Sequence, residues 1–184
     1  MSTPTSPLIH LVDDDDAVRD ALALLIGTVG LRVAPWKHPQ TFLDGFDRES
    51  VGAIVLDVRM PGMSGLALFE RLIERGLVDS LPVIFLTGHG DVPTAVSAVK
   101  RGAFDFVEKP FSDNALVDRI VQALEVSRGR LEGQRERDKV AHALAELTER
   151  ELEVMRLVID GKPNKLVADA LGMDRVFAHP LAGV

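Results

Sequence analysis

Four consecutive carboxylates at residues 13–16, followed far along the chain by Asp57, Thr87 and Lys109, are the side chains whose types and spacing suit chemistry. Each ends an apolar run: Leu8-Ile9-His10-Leu11-Val12 leads into the acids, Ala53-Ile54-Val55-Leu56 into Asp57, Val83-Ile84-Phe85-Leu86 into Thr87, and Phe106-Val107-Glu108 into Lys109. Such runs, closed by turn residues such as Pro61-Gly62 and Ser64-Gly65, read as strands buried on both faces. In a parallel sheet the strand ends of one sense gather on one edge, where open α/β sheets bind ligands. Carboxylates brought together in such a crevice repel one another unless a cation intervenes. A hard divalent ion answers that, and Mg²⁺ suits it because it takes a few carboxylates and keeps waters and a phosphate oxygen. The chemistry is then phosphoryl transfer, with Asp57 as nucleophile, Asp14 and Asp13 on the metal side, Lys109 as fixed cation and Thr87 as a hydroxyl able to follow a phosphoryl oxygen.

Each residue also has a plainer reading. Asp57 can cap the turn after its strand, the acids at 13–16 can form a solvated helix start, Thr87 can be a turn residue and Lys109 a surface lysine. His10 and His89 read as structural or exposed side chains rather than ligands. What favours a site is the joint placement, with every member at a strand end on the same edge.

The elements that must position these residues follow from periodicity. Val18, Ala21, Leu22, Leu25, Ile26 and Val29 mark a first helix, and residues 31–36 a second strand. Residues 39–46 form a short helix with Phe42, Leu43 and Phe46 on one side, and residues 64–75 a third helix. A fourth helix at 92–102 carries Val92, Val96 and Val99, and a fifth starts near Ser112, a cap, and runs through Leu116, Ile120, Val121 and Leu124. Strand and helix patterns in alternation predict βαβ units, and hence an α/β fold with a doubly wound, five-stranded parallel sheet.

With 184 residues, there is room for one domain of ordinary size and a smaller one. The expected division is 1–125, a helical or hinged linker at 126–143 dense in Arg and Glu, and 144–184. Hydrophobic content of 46% with 27% charged residues excludes a disordered chain. No apolar run is long enough for a membrane span, the start lacks the basic and apolar regions of a signal peptide, and cysteine is absent, so cytoplasmic residence is expected. Residues 1–125 hold 11 Lys and Arg against 18 Asp and Glu, which argues against a nucleic-acid surface there, while 126–184 hold 10 of each. In that second part Thr148 with Glu151 forms a capping box, ahead of a helix burying Leu152, Met155, Leu157, Val158 and Ile159 and stopped by Gly161. A short helix at 164–171 ends at Gly172.

The stretches Leu11-Val12-Asp13-Asp14-Asp15, Leu56-Asp57-Val58-Arg59-Met60-Pro61-Gly62-Met63-Ser64-Gly65, Thr87-Gly88-His89-Gly90-Asp91 and Val107-Glu108-Lys109-Pro110-Phe111 resemble the receiver domain of bacterial two-component response regulators, most closely the FixJ branch. The resemblance implies a flavodoxin-like receiver whose Asp57 accepts a phosphoryl group from a cognate sensor histidine kinase. It further implies Mg²⁺ held by Asp14, Asp57 and the backbone carbonyl of Arg59, with Asp13 acting through water, and a cis Lys109-Pro110 bond. Thr87 and Phe106 become the switch pair, and the face at about 92–108 a symmetric dimer contact on phosphorylation. Such a protein is not a turnover enzyme; it is a phosphoacceptor that assists its own phosphorylation and dephosphorylation.

Residues 147–173 are similar to the start of the LuxR-type helix-turn-helix output domain, which implies promoter DNA as a partner and transcriptional control as the role. The sequence departs from that pattern after Asp174: Pro180 falls where a helix interior is expected, and Arg175 is the one basic candidate there for reading DNA. An incomplete, partial all-α output segment with weakened DNA binding is therefore expected. A rival is a receiver acting only through protein contacts, as a phosphate sink or dimerisation competitor. A phosphohydrolase would want a second carboxylate two residues after Asp57, where Arg59 stands.

Overall fold

A computed structural model describes residues 6–46, 51–88, 92–163, 165, 167 and 168. The strands are β1 (Leu8–Val12), β2 (Arg32–Trp36), β3 (Gly52–Asp57), β4 (Val83–Thr87) and β5 (Asp105–Glu108). The helices are α1 (Asp16–Thr28), α2 (Pro39–Gly45), α3 (Gly65–Glu74), α4 (Val92–Lys100), α5 (Asp113–Ala145) and α6 (Glu149–Ile159). The strands form one parallel sheet in the order β2-β1-β3-β4-β5, the doubly wound arrangement expected of alternating strands and helices. β3 lies at its centre, buried at every position, as its unbroken apolar run requires. One face packs Val12, Ile54, Leu56 and Phe85 against Phe42, Phe69 and Ala98; the other packs Ile9, Leu11, Val55 and Ile84 against Leu22, Ile26, Leu116 and Ile120.

Local chemistry sets the helix starts. Asp15 caps α1, Ser64 caps α3, and the Thr148–Glu151 capping box opens α6. Four apolar assignments from periodicity are corrected: Ala21, Val29, Val96 and Val121 are exposed. In α4 the face turned to the sheet carries the small residues Ala95 and Ala98 with half-buried Val99, so close approach, not side-chain hydrophobicity, selects it.

The chain divides into two compact units, Met1–Gly133 and Gln134–Val184, the division falling inside α5. The linker is thus one uninterrupted helix, and it stays with the first unit beyond residue 125. Ser127, 1% exposed, accepts a hydrogen bond from the Gly52 amide (3.1 Å) and donates to the Ser80 carbonyl (3.0 Å), while Arg130 donates to the Val78 carbonyl (3.1 Å). In the second unit Leu152, Met155 and Leu157 are half-buried, but Val158 and Ile159 are exposed, contrary to the expected buried stripe. A helix buries its stripe only where another element packs on it. Of the expected helix at 164–171, residues 165, 167 and 168 are described and are helical; its other residues and the divergent end with Arg175 and Pro180 lie outside the described residues, as do His89, Gly90 and Asp91.

His10 in β1 is buried among aromatic rings. Its Nδ1 accepts from the Trp36 indole N–H at 3.2 Å, which assigns the neutral ring with its proton on Nε2, and Nε2 has no partner among the described residues. Burial lowers its pKa from 6.5 to about 4. The unfolded chain therefore takes up the proton first on acidification, so the stability held above pH 6.5 is lost as pH falls through about 4. Urea unfolding at pH 7 and pH 5 should show the wild type losing about 2 kcal/mol more than His10→Asn over that interval. Equal pH slopes would assign the titration to other groups.

Candidate functional site

The carboxyl ends of β1, β3 and β5 bring their terminal side chains to one cavity of about 530 Å³, lined by Asp13, Asp14, Asp57, Val58, Arg59 and Lys109 among others. It lies at the switch point between β1 and β3, where helices leave on opposite faces of the sheet. Lys109 Nζ is 2.7 Å from Asp57 Oδ1 and 3.8 Å from Asp13 Oδ2. One ammonium thus serves two carboxylates contributed by different strands. Asp57 Oδ2 accepts a hydrogen bond from the Arg59 amide at 2.8 Å. Asp13 Oδ1 accepts one from the Asp15 amide at 2.9 Å, and Asp13 Oδ2 is buried without a hydrogen-bond partner among the described residues. Burial, with the Asp57 charge adding to it, pushes the Asp13 carboxyl above its ordinary value.

A buried carboxylate oxygen without a hydrogen bond among the described residues, on an acid that lines the same cavity as Asp14 and Asp57, gives this edge oxygen donors of the kind a hard cation takes. Among the described residues no three His, Cys, Asp or Glu side chains are grouped to cage a metal alone. The donor set that fits is the one Mg²⁺ prefers, one or two carboxylates completed by a backbone carbonyl and waters. Asp14 is half-buried and Arg59 exposed on the rim, and both also line an adjoining cavity of about 590 Å³ that continues over Met60 and Pro61.

Two predicted residues stand apart from the cavity lining. Thr87, fully buried at the end of β4, donates its hydroxyl to the Gly88 carbonyl at 3.1 Å. Phe106 in β5 is half-buried and packs on the core beside α4. The Thr87 carbonyl accepts the Lys109 amide at 2.7 Å, so β4 and β5 are tied where these residues sit. The Lys109-Pro110 bond is cis.

One residue that the sequence did not single out as functional is Gly65. A Cβ there would lie 2.0 Å from the Asp57 carbonyl oxygen, so α3 can start this close to the end of β3 only from glycine. Its amide donates to the Val58 carbonyl at 3.0 Å, holding the loop after Asp57 closed. The available signal was a poor helix former placed at a helix start directly after the Ser64 cap.

Acids at the end of β1, an aspartate at the end of the central strand and a lysine thus meet on one edge of a doubly wound parallel sheet. Residues 9–121 match the response regulator receiver domain, and residues 145–174 match the bacterial regulatory proteins of the luxR family. The chain is 46% identical over 167 residues to the C4-dicarboxylate transport transcriptional regulatory protein DctR of Rhodobacter capsulatus, covering 90% of this chain and 84% of that protein. It is 45% identical over 174 residues to the transcriptional regulatory protein FixJ of Azorhizobium caulinodans, covering 92% of this chain and 80% of that one. The solved structure of the response regulator StyR superimposes with a TM-score of 0.83 at 40% identity, over 92% of this chain and 84% of that chain.

The chain belongs to the response regulators that join a receiver domain to a LuxR-type helix-turn-helix, and is a transcriptional regulator of that family. A receiver brings a histidine kinase as partner and the helix-turn-helix brings DNA; the reading as a protein-contact module alone is not favoured. Among the described residues no helix is long and apolar enough to cross a membrane.

Gly65→Ala should destabilise the receiver by about 1–3 kcal/mol, the range for forcing atoms into a packed site. Urea unfolding checks this, and a neutral result would mean that the β3–α3 junction yields without strain.

Proposed function

We propose that Asp57 is the phosphoacceptor of this regulator and that its phosphorylation controls assembly and DNA binding. The observation that carries this reading is the shared Lys109 ammonium between Asp57 and Asp13, beside a buried Asp13 oxygen that finds no hydrogen bond among the described residues. Asp57 presents Oδ1 to Lys109 and Oδ2 to the Arg59 amide, which orients the carboxylate as an oxygen nucleophile. Asp14, Asp57 and the Arg59 carbonyl would hold Mg²⁺, with Asp13 contributing through water, and the ion would offset the charge of the phosphoryl oxygens. Lys109, bonded to Asp57 Oδ1, supplies a fixed positive charge to the same end. The chain acts as a phosphoacceptor that assists its own phosphorylation and dephosphorylation, and does not turn over a separate substrate.

The phosphoryl group adds about two negative charges and new acceptor oxygens at Asp57. Thr87 answers by giving up the Gly88 carbonyl for a phosphoryl oxygen, and Phe106, with no hydroxyl to satisfy, moves inward behind it. The surface of α4 and β5, with Val96 exposed on it, then becomes the self-complementary contact of a dimer. The dimer presents two output segments to promoter DNA, and a cytoplasmic sensor histidine kinase domain supplies the phosphoryl group.

Acetyl phosphate with Mg²⁺ should label the wild type stoichiometrically and Asp57→Asn not at all; stoichiometric labelling of the variant overturns the assignment. Light scattering after beryllofluoride treatment should show a dimer for the wild type and no change for Asp57→Asn. A wild type that stays monomeric would remove the α4–β5 contact from the reading and leave the phosphoacceptor in place.

A further inference from the structure

The four adjacent acids are not equivalent. Asp13 and Asp14 line the cavity with Asp57 and Lys109. Asp15 spends one carboxylate oxygen on the amides of Ala17 (2.9 Å) and Val18 (3.2 Å), capping α1. Asp16 pairs with Lys37 (3.0 Å) and with Arg19. Asp15 reaches the cavity wall as well, so three of the four acids line the cavity, while Asp15 and Asp16 also brace the loop around it.

Arg19 joins the first and the last of these acids. Its side chain is only 12% exposed, Nη1 donates to the main-chain carbonyl of Asp13 at 2.8 Å, and Nη2 donates to the Asp16 carboxylate. Asp13 is thereby held at both backbone groups and at one carboxylate oxygen: its amide donates to the Trp36 carbonyl at 3.2 Å, its carbonyl accepts from Arg19, and its Oδ1 accepts from the Asp15 amide. Without a cation, mutual repulsion among the acids would drive this short loop outward, since like charges at such range destabilise one another. A nearly buried guanidinium behind the loop opposes that drift with charge and with a directed hydrogen bond.

We propose that Arg19 is the positioning residue of the cation site: it keeps Asp13 and Asp14 on the cavity before the cation arrives, without touching cation or phosphoryl group. This rests on the reading of the Asp57 site given above. Groups that orient metal ligands in this way typically account for about 10–100-fold in affinity.

The test measures Mn²⁺ binding to the full chain by electron paramagnetic resonance, alongside the Mg²⁺ dependence of labelling by acetyl phosphate. Arg19→Gln should weaken Mn²⁺ binding about tenfold and shift the Mg²⁺ needed for half-maximal labelling by a similar factor, while labelling at saturating Mg²⁺ keeps the wild-type rate. Arg19→Lys, able to reach the Asp13 carbonyl with a single donor, should fall between the two. Asp16→Asn leaves the Arg19 bond to Asp13 in place and should bind as the wild type does. Wild-type affinity in Arg19→Gln, or a saturating rate that falls while affinity holds, overturns the proposal. Should Arg19→Gln not fold, an Asp16→Asn loss equal to that of Arg19→Lys overturns it, because the ion pair alone would then be responsible. A wild type that binds no cation would instead overturn the reading of the site itself.

Discussion

The crowding of carboxylates on one sheet edge is the constraint around which the receiver is built. Asp13 and Asp57 are both largely buried, and charges of one sign in such a place must be met by an opposite charge. Lys109 supplies part of that from β5, half-exposed and within reach of both acids. It does not cancel the set: Asp13 Oδ2 remains without a hydrogen bond among the described residues, and its carboxyl is pushed above the ordinary value. An arrangement left short of positive charge is prepared for a cation and for a group that arrives with one.

Such an arrangement holds only on a stiff support. β3 supplies it by being buried along its whole length, and Gly65 lets α3 begin against the backbone of Asp57 itself. The acid loop after β1 is fixed differently, by a cap at Asp15 and by Arg19 gripping the carbonyl of Asp13. Thr87 and Phe106 sit at the end of β4 and in the middle of β5, off the cavity but joined to it through the Thr87 carbonyl and the Lys109 amide. In the function proposed above, phosphoryl chemistry and its readout share a few strand ends.

At the far edge of the same sheet, the first residues of β3 and the loop before β4 are hydrogen-bonded to α5 through Ser127 and Arg130. The strands that end in Asp57 and Thr87 are therefore also the strands that hold the helix leading out of the receiver. The exposed stretch of α5 beyond Gly133 carries dense charge of both signs, as a solvated connecting helix does.

The sequence by itself determined the strands and put Asp13, Asp14, Asp57, Thr87 and Lys109 at or just past their ends, because buried parallel strands are continuous apolar runs and their ends are marked by the first polar residue. It also carried the capping box at Thr148 and the change of character after residue 125. Only the tertiary structure decided what each acid is bonded to, with Asp15 capping α1 and Asp16 pairing with Arg19 and Lys37, since four identical residues in a row carry no label of direction. The same holds for Ser127, read as part of a polar linker yet buried against Gly52 and Ser80, and for His10, whose partner Trp36 lies on a neighbouring strand. Valines at 29, 96 and 121 misled for the converse reason: hydrophobicity states what a side chain prefers, while burial depends on what the fold places over it. Periodicity is a local property readable along the chain, whereas hydrogen-bond partners and close approaches join residues whose separation in sequence says nothing of their distance in space.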